Sequence, residues 1–282
     1  MAFDPIAYKQ AVTAEWQRAA DGWHRWIPAI NAWLSDATET MLDQANVKSG
    51  SQVLDIAAGD GGQSVAAAER VGPSGEVLAT DIAPEFVKLA NAVASRMGLA
   101  QLRAEVMDAE ALTLQDNRFD AAISRLGLMY LPDLQKGLSE IKRVLRPGGR
   151  LAAVVFTTGA KTPFFSIPVN LIREKRALPQ PEPGQPGPFS LGSPGLLTQR
   201  LEKAGFRDVR ERTINAPLRF ESAEECLRWR REASGTMQQM LSGLDNEAKE
   251  VIWREVEDAM RQFETPLGFE SPCELLVCSG VK

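Results

Sequence analysis

The central part of the chain alternates short apolar runs with longer amphipathic segments. Five apolar runs have the length of buried strands: Gln52–Ile56, Glu76–Thr80, Leu102–Met107, Phe119–Ser124 and Arg150–Phe156. Segments with helical periodicity lie between most of them: Gln63–Val71, Pro84–Met97 and Asp133–Leu145. Strands that alternate with helices favour a parallel sheet covered by helices on both faces. We therefore predict an α/β core over residues 48–156.

The region before this core has a helical pattern over residues 5–46, which Gly22 and Pro28 are expected to interrupt. Four of the six tryptophans of the chain lie here, spaced 7, 3 and 7 residues apart, near one helical seam: Trp16, Trp23, Trp26 and Trp33. The seam predicts either a core face or an N-terminal lid over residues 1–47 whose aromatic side chains also wall a ligand pocket.

The pattern changes after Phe156. Residues 157–193 combine a predicted helix, Thr162–Leu178, with a proline-rich stretch. No regular element fits that stretch, and we predict an ordered loop on the substrate side. Ser193 and Pro194 then favour the start of a helix that ends at Gly205.

Two further strands are predicted to close the sheet, Phe206–Leu218 and Cys273–Val281. Residues 194–220 and 266–282 are accordingly assigned to the core. The segment between them, residues 221–265, is helical and amphipathic over Ser222–Glu264, which predicts a cap over the site.

Composition and charge exclude several classes of function. The 282 residues are 44% hydrophobic and 24% charged, with a formal net charge of −5, as in ordinary globular proteins. The one basic cluster, Arg228–Arg231 (RWRR), is interpreted as a solvated helix face, so no nucleic-acid partner is expected. The three cysteines lack a second cluster of ligands that would complete a metal site, so no bound metal is predicted.

The sequence also carries expectations about location. The first ten residues lack a positive segment followed by an apolar run, which predicts no secretory signal, and no apolar stretch reaches the ~18–20 residues of a membrane span. The three cysteines, Cys226, Cys273 and Cys278, are expected to be free thiols in a reducing compartment. These features together predict a cytoplasmic protein, either a monomer or a homodimer.

The glycine-rich segment VLDIAAGDGGQS joins the first strand to its helix. A dinucleotide loop of the form G-x-G-x-x-G would need a third glycine where Ser64 and Val65 stand. Asp60 would also repel a pyrophosphate, and no Gly-Lys-Ser/Thr follows as in a phosphate-binding P-loop. A phosphate ligand is disfavoured, although a nicotinamide-dependent oxidoreductase stays as an alternative.

Acids at the next two strand ends favour a different ligand. Asp81 can accept two hydrogen bonds from a ribose diol, and Asp108 can accept one from the exocyclic amine of adenine. The glycines let the backbone approach a ligand closely, and the helix that starts near Gly62 presents amide donors to a carboxylate. Ribose, adenine and an amino-acid end together describe S-adenosylmethionine.

The motifs VLDIAAGDGG, VLATDIAP, VMDAEAL, FDAAISRLGLMYLPD and VLRPGGRL follow one another in a familiar order. The series resembles the class I S-adenosylmethionine-dependent methyltransferases, in particular the ubiquinone/menaquinone-biosynthesis group (UbiE-like, methyltransferase type 11). The similarity covers residues 48–156 and, less closely, SLGSPGLLTQRLEKAGF. It implies a Rossmann-like, seven-stranded, mostly parallel sheet and methyl transfer to a hydrophobic small molecule. The acceptor could be quinone-like, aromatic, isoprenoid or another natural product, methylated on oxygen, carbon or nitrogen.

The resemblance also implies which residues bind the cofactor: Asp55, Ala57, Gly59, Gly61, Asp81, Ile82, Asp108, Ala109, Ser124 and Arg125. Within this set Asp55 orders the loop, and Asp81 holds the ribose with Ile82 against the adenine. Asp108 reads the adenine edge, and Arg125 lies near the methionine part or the acceptor. A relative that binds the cofactor without catalysing transfer would share this pattern.

Methyl transfer from a sulfonium requires alignment of the acceptor and exclusion of water. A base is needed only if the acceptor must lose a proton. The candidate is His24, the only histidine of the chain, with Tyr8 and Tyr130 as alternatives. Candidate pocket residues are Trp23, Tyr130 and Phe189. A wider apolar set lies in the predicted lid and cap: Trp16, Trp26, Phe164, Phe165, Met237 and Met240.

Overall fold

The computed structural model describes residues 3–182 and 184–282. Within them the chain forms ten strands: β1 (Gln52–Ile56), β2 (Glu76–Asp81), β3 (Leu102–Val106), β4 (Phe119–Arg125), β5 (Leu145–Phe156), β6 (Arg207–Asn215), β7 (Leu218–Phe220), β8 (Glu264–Thr265), β9 (Gly268–Ser271) and β10 (Glu274–Val281). The α-helices of the same residues are α1 (Pro5–Arg25), α2 (Ile27–Trp33), α3 (Ser35–Gln44), α4 (Gly62–Val71), α5 (Pro84–Arg96), α6 (Leu134–Val144), α7 (Pro163–Lys175), α8 (Leu196–Lys203), α9 (Ala223–Ala233), α10 (Gly235–Met240) and α11 (Asn246–Met260).

Seven strands form the central sheet in the order β3-β2-β1-β4-β5-β10-β6. Strand β10 runs antiparallel to both of its neighbours, and all other adjacent pairs are parallel. The central strands are buried along almost their whole length, because helices cover both faces of such a sheet. The predicted α/β fold with a seven-stranded, mostly parallel sheet is therefore confirmed.

The N-terminal helices differ from the prediction at Gly22. Helix α1 continues through this glycine, because Gly22 lies directly against α9: a Cβ at this position would lie 1.9 Å from the carbonyl oxygen of Glu232. The break falls instead at Trp26, the residue between α1 and α2. Pro28 is then in the first turn of α2, where no N–H is needed for the helix.

This break divides the predicted tryptophan seam into three sites. Trp16 and Trp23 contact each other, with ring centroids 5.8 Å apart. Trp33 packs edge-on against Phe164 at 5.3 Å. Trp26 lies elsewhere, against Phe220 of β7 at 5.7 Å. The prediction that the four tryptophans share one helical stripe is therefore wrong, because the helix is interrupted at Trp26 and α2 does not continue α1.

The closing strands also differ from the prediction. Strand β6 ends at Asn215, and β7 pairs with β9 in a separate three-stranded sheet of order β7-β9-β8. Pro217 lies between β6 and β7, and Pro272 lies between β9 and β10. Since proline lacks the N–H that a ladder needs, both strands leave the central sheet at these residues. Residues 218–220 and 268–271 thus belong to the small sheet and not to the core.

Helix α8 begins two residues later than Ser193 and Pro194 predict. Gly195 precedes it with φ 73°, in the left-handed region, so the α-helical conformation starts only at Leu196. The predicted end near Gly205 agrees with the structure, in which α8 ends at Lys203 and Gly205 has φ 83°.

The cap consists of the small sheet and of helices that pack on one another, α7, α9, α10 and α11. Helix α1 packs on α9 and α10 of this cap and also on α5 of the core. It therefore connects the two parts of the molecule. Among the helices that the structure describes, none combines the length and the apolar character that crossing a membrane requires.

Candidate functional site

One large cavity lies at the carboxyl ends of the parallel strands. Its wall on the sheet side comes from the residues that end or follow β1, β2, β3 and β4, and its opposite wall comes from α1, α7, α9 and α10. It contains about 1340 Å³ of empty space, part of which is open to solvent.

The loop after β1 brings the backbone close to this cavity. Ala57, Gly59 and Gly61 all have positive φ, at 53°, 59° and 87°. The left-handed region costs little for glycine, but it is strained for alanine and is retained where the surroundings demand it. Gly59 lines the cavity, and a Cβ there would have no atom within 4 Å. A ligand can therefore approach the main chain at this position.

Asp81 is held at the end of β2 by main-chain donors. The N–H of Gly59 donates to its Oδ2 and the N–H of Ala83 donates to its Oδ1, both at 2.9 Å. Burial raises the pKa of this carboxyl to about 6 despite these bonds. Each oxygen keeps a free lone pair, and Asp81 lines the cavity, so the fixed carboxylate can accept two further donors.

Asp108 has a partner that the sequence did not indicate. The Nζ of Lys9, on α1, lies 2.7 Å from Oδ2 of Asp108 and 2.6 Å from Oε2 of Glu110. All three residues line the cavity. Helix α1 is thereby fastened to the strand end at which the adenine edge was predicted. No local pattern marks Lys9, because the contact joins residues 99 and 101 positions apart.

Four other predicted cofactor residues line the same cavity: Ala57, Ile82, Ala109 and Arg125. Arg125 is buried at the end of β4, and its guanidinium donates to Thr38 Oγ1 at 2.9 Å and to Asn31 Oδ1 at 3.1 Å. Burial lowers the pKa of Arg125 to about 10, still far above neutrality, and the residue stays charged.

Three predicted cofactor residues do not line the cavity: Asp55, Gly61 and Ser124. Asp55 lies behind the loop, where Ser64 Oγ donates to it at 2.5 Å and Gln63 Nε2 at 3.2 Å. These bonds join β1 to the first turn of α4. Burial raises the pKa of Asp55 to about 7. Gly61 is the residue before α4, and Ser124 Oγ is buried without a hydrogen-bond partner in the described part of the chain.

His24 lies outside the cavity wall. Its Nδ1 is 2.9 Å from Oδ2 of Asp60, an almost fully buried residue of the glycine-rich loop. The geometry thus gives His24 a contact with the loop and none with a cavity ligand, and its predicted role as a base has no support in this arrangement. Asp60, whose charge argued against a pyrophosphate ligand, is thus the partner of His24, the only histidine of the sequence.

The far half of the cavity is aromatic. Trp23 and Tyr130 line the cavity as predicted, together with Trp16, Phe164 and Phe165 of the wider apolar set. Phe189 does not line it but packs behind Phe165, with ring centroids 5.6 Å apart. The other three members of that set also lie away from the cavity wall: Trp26, Met237 and Met240. We refer to the part of the cavity that is lined by five aromatic residues as the aromatic half: Trp33, Phe156, Phe164, Phe165 and Trp229.

The RWRR cluster is not a solvated face. Trp229 and Arg230 are buried and line the aromatic half, whereas Arg228 and Arg231 point outward and form ion pairs with Glu225 and Glu250. Helical spacing accounts for the difference, since Arg230 lies four residues after buried Cys226 and three before buried Ala233. That spacing was visible in the sequence, but the run of charges obscured it.

Other reactive side chains of the described residues are candidates for a metal site or a nucleophile. In residues 3–182 and 184–282 no group of three or more His, Cys, Asp or Glu side chains is arranged to hold a metal ion. The three cysteines are buried free thiols, and burial raises the pKa of each to about 12, which leaves them as weakly reactive thiols.

Comparison with known proteins finds a family that matches part of the chain. A family model described as a methyltransferase domain matches residues 47–178. The ubiquinone/menaquinone biosynthesis C-methyltransferase UbiE of Bordetella avium is 40% identical over 120 residues, 43% of this chain and 46% of that protein. An uncharacterized protein of Mycobacterium bovis is 30% identical over 211 residues, 72% of this chain and 73% of that protein. The nocamycin O-methyltransferase of Saccharothrix syringae is 29% identical over 202 residues, 67% of this chain and 71% of that protein.

The chain spans about half the length of the first curated relatives that it matches. Among solved structures, it is similar to the YcgJ protein of Bacillus subtilis, with a TM-score of 0.59 and 20% identity, over 88% of this chain and 98% of that one. At this identity the likeness concerns the fold. The matched residues, 47–178, contain the glycine-rich loop and the strand-end acids of the cavity, and this part of the chain is a methyltransferase domain of the class I S-adenosylmethionine-dependent, UbiE-like type.

Proposed function

We propose that this chain transfers a methyl group from S-adenosylmethionine to a small-molecule acceptor bound in the aromatic half. The observation that carries the proposal is the continuity of the cavity, which joins the strand-end acids Asp81 and Asp108 to a chamber of aromatic side chains. A cofactor and an acceptor can therefore meet inside one enclosure.

The residues of the sheet-side wall fit the cofactor. The open backbone at Gly59 would admit the methionine part, and the two free lone pairs of Asp81 match a ribose diol. Asp108, with Ile82 and Ala109 beside it on the wall, would face the adenine. When bound, S-adenosylmethionine supplies an electrophilic methyl group on a sulfonium.

The chain itself would act mainly by positioning and by exclusion of water. The rings of the aromatic half restrict where an acceptor can lie, and α1 covers the cavity from the side of Lys9. Alignment of this kind accounts for a large part of the rate of displacement reactions. Tyr130 would donate a hydrogen bond and would not serve as a base, because burial raises the pKa of its phenol well above its usual range.

The acceptor atom is not carried over from the relatives. UbiE is named as a C-methyltransferase and the nocamycin enzyme as an O-methyltransferase. Both names are compatible with a small apolar acceptor, which the aromatic half also favours. We leave carbon, oxygen and nitrogen as outcomes of the test.

The test begins with cofactor binding. S-adenosylhomocysteine should raise the melting temperature of the purified protein, NAD should not, and Asp81→Asn should reduce the shift. Incubation of an extract of the source organism with methyl-labelled S-adenosylmethionine should then give a labelled small molecule by mass spectrometry. Stabilisation by NAD instead would favour an oxidoreductase. Binding without any labelled product would indicate a relative that holds the cofactor and does not catalyse transfer.

A further inference from the structure

Among the residues that the structure describes, Arg230 is a buried cation without an anionic partner. The residue is only 4% exposed, and of its five N–H donors one is engaged with a described residue, from Nη2 to Ser234 Oγ at 3.3 Å. Its Nε is buried and has no hydrogen-bond partner in the described part of the chain. Burial lowers the pKa of Arg230 to about 10, so the guanidinium remains charged at neutral pH. A buried charge with so few partners is costly to the folded state.

The position of the guanidinium points to a ligand. Arg230 lines the aromatic half, with its Cζ 4.4 Å from the centre of the Phe165 ring and 5.0 Å from that of Trp229. Stacking on these rings compensates part of the lost hydration of a cation, but the rings provide no acceptor for its N–H groups. The unused donors are therefore available to a molecule inside the cavity.

Two neighbouring hydroxyl groups are also donors. Ser234 lines the cavity, and its Oγ already accepts bonds from Arg230 and from the N–H of Met237, at 3.3 and 3.4 Å. Its own proton is therefore free to be donated. Tyr130 also lines the cavity, and because burial raises the pKa of its phenol well above its usual range, it is a neutral donor. One cation and two hydroxyl donors thus line the same cavity.

The nearby carboxylate does not neutralise this group. Glu15 is turned toward Thr236, whose hydroxyl donates to its Oε1 at 2.6 Å, and Glu15 does not line the cavity. Arg125, the other buried arginine of the cavity wall, differs in having two side-chain acceptors already.

We propose that the aromatic half binds an acceptor that carries an oxyanion, a carboxylate or an enolate, on an aromatic or otherwise apolar body, with Arg230 as its counter-ion. This inference rests on the proposed methyl transfer and makes its substrate class specific. Two charge-assisted bonds from one guanidinium are also directional, so Arg230 would fix the orientation of the acceptor.

The test compares acids with their uncharged amides in the presence of saturating S-adenosylhomocysteine. The probes are 2-naphthoate, cinnamate and indole-3-acetate, each paired with its carboxamide, and binding is followed by quenching of tryptophan fluorescence. At least one acid should bind the unmodified protein tenfold or more tightly than its amide. Arg230→Gln should remove the preference, and Arg230→Lys should keep part of it because the charge remains.

Arg228→Gln is the matched control, since Arg228 lies on the same helix but is 62% exposed and faces Glu225. It should leave the preference for the acid unchanged. The inference is overturned if no acid is preferred over its amide, if Arg230→Gln retains the preference, or if that variant loses affinity for S-adenosylhomocysteine, which would make Arg230 a cofactor residue. Failure of the unmodified protein to bind S-adenosylhomocysteine would count against the proposed function. The affinities of the acids and amides would then be compared without S-adenosylhomocysteine, and this comparison would still test whether Arg230 binds an oxyanion.

Discussion

Two aspartates at neighbouring strand ends have different roles because their surroundings differ. Asp55 is enclosed by the side chains of Ser64 and Gln63 behind the glycine-rich loop. Asp81 is held by the N–H groups of Gly59 and Ala83, which leave its outward side open to the cavity. The first carboxylate therefore orders the loop, and the second is available to a ligand.

His24 provides the prediction at this scale. Its imidazole is the side-chain partner of Asp60, which is 2% exposed. His24→Ala should leave a buried carboxylate without that partner and lower the free energy of unfolding by ~1–3 kcal/mol. His24→Asn, whose amide can replace the Nδ1 donor, should retain most of it. Urea denaturation measures both variants.

An assay of methyl transfer distinguishes this structural role of His24 from a role as catalytic base. Methyl transfer per folded molecule should be unchanged within about twofold in His24→Asn, which has no group able to accept a proton at neutral pH. A loss of turnover in both variants, without loss of stability in His24→Ala, would restore the interpretation of His24 as the base.

At the scale of elements, α1 links the two halves of the cavity. Its Lys9 contacts Asp108 and Glu110 at the sheet side, and its Gly22 lies against α9 of the cap. Because one helix makes both contacts, movement of α1 would open the cofactor side and loosen the cap together. Helix α1 is thus the element suited to control exchange of the cofactor.

Lys9→Gln tests this. The substitution removes the cation between Asp108 and Glu110, of which Glu110 is only 7% exposed. We expect dissociation of S-adenosylhomocysteine to become ~3–10-fold faster, as measured by stopped-flow fluorescence, since a partly buried ion pair contributes about 1 kcal/mol. Lys88→Gln is the control, because Lys88 is 70% exposed and pairs only with Glu85 on its own helix. Equal dissociation rates in all three proteins would contradict a role for this contact in retention.

The sequence allowed the core elements to be predicted because their signals are local. Apolar runs of strand length and the glycines of the first loop identified the sheet and the loop. Lys9 and Arg230 could not be assigned in the same way, since their significance arises from contacts with distant segments. The facing Pro217 and Pro272 are an intermediate case: each was visible, but their effect required knowing that β6 and β10 pair.

At the scale of the whole molecule, the two walls of the cavity come from different parts of the chain. The family model covers residues 47–178, which include Asp81 and Asp108. The wall around the proposed acceptor takes Trp33, Trp229 and Arg230 from outside that range. The region around the proposed acceptor thus combines residues of the matched domain, Phe156, Phe164 and Phe165, with residues from outside it.

The buried carboxyl groups of the molecule predict opposite effects of pH on the stability of the ligand-free protein and on cofactor binding. Burial raises the pKa of Asp81 to about 6 and that of Asp55 to about 7, and it also raises the pKa values of Asp60 and Glu15. The folded protein thus binds these protons more tightly than the unfolded chain. The stability that they contribute is fully present below the unfolded values near 4 and is lost as pH rises through about 6 and 7. Between pH 7.5 and 5.5 the ligand-free protein should accordingly become more stable as the pH falls.

Affinity for S-adenosylhomocysteine should change in the other direction. Protonation of Asp81 removes an acceptor for the ribose, and one linked proton weakens binding by up to tenfold per pH unit below about 6. Calorimetric titration from pH 7.5 to 5.0 measures this dependence, and thermal unfolding of the ligand-free protein measures the stability. Asp81→Asn should bind weakly but with little dependence on pH, which separates Asp81 from the ionisable groups of the ligand. Affinity that stays constant down to pH 5 would show that the ionised carboxylate of Asp81 is not the group that holds the ribose.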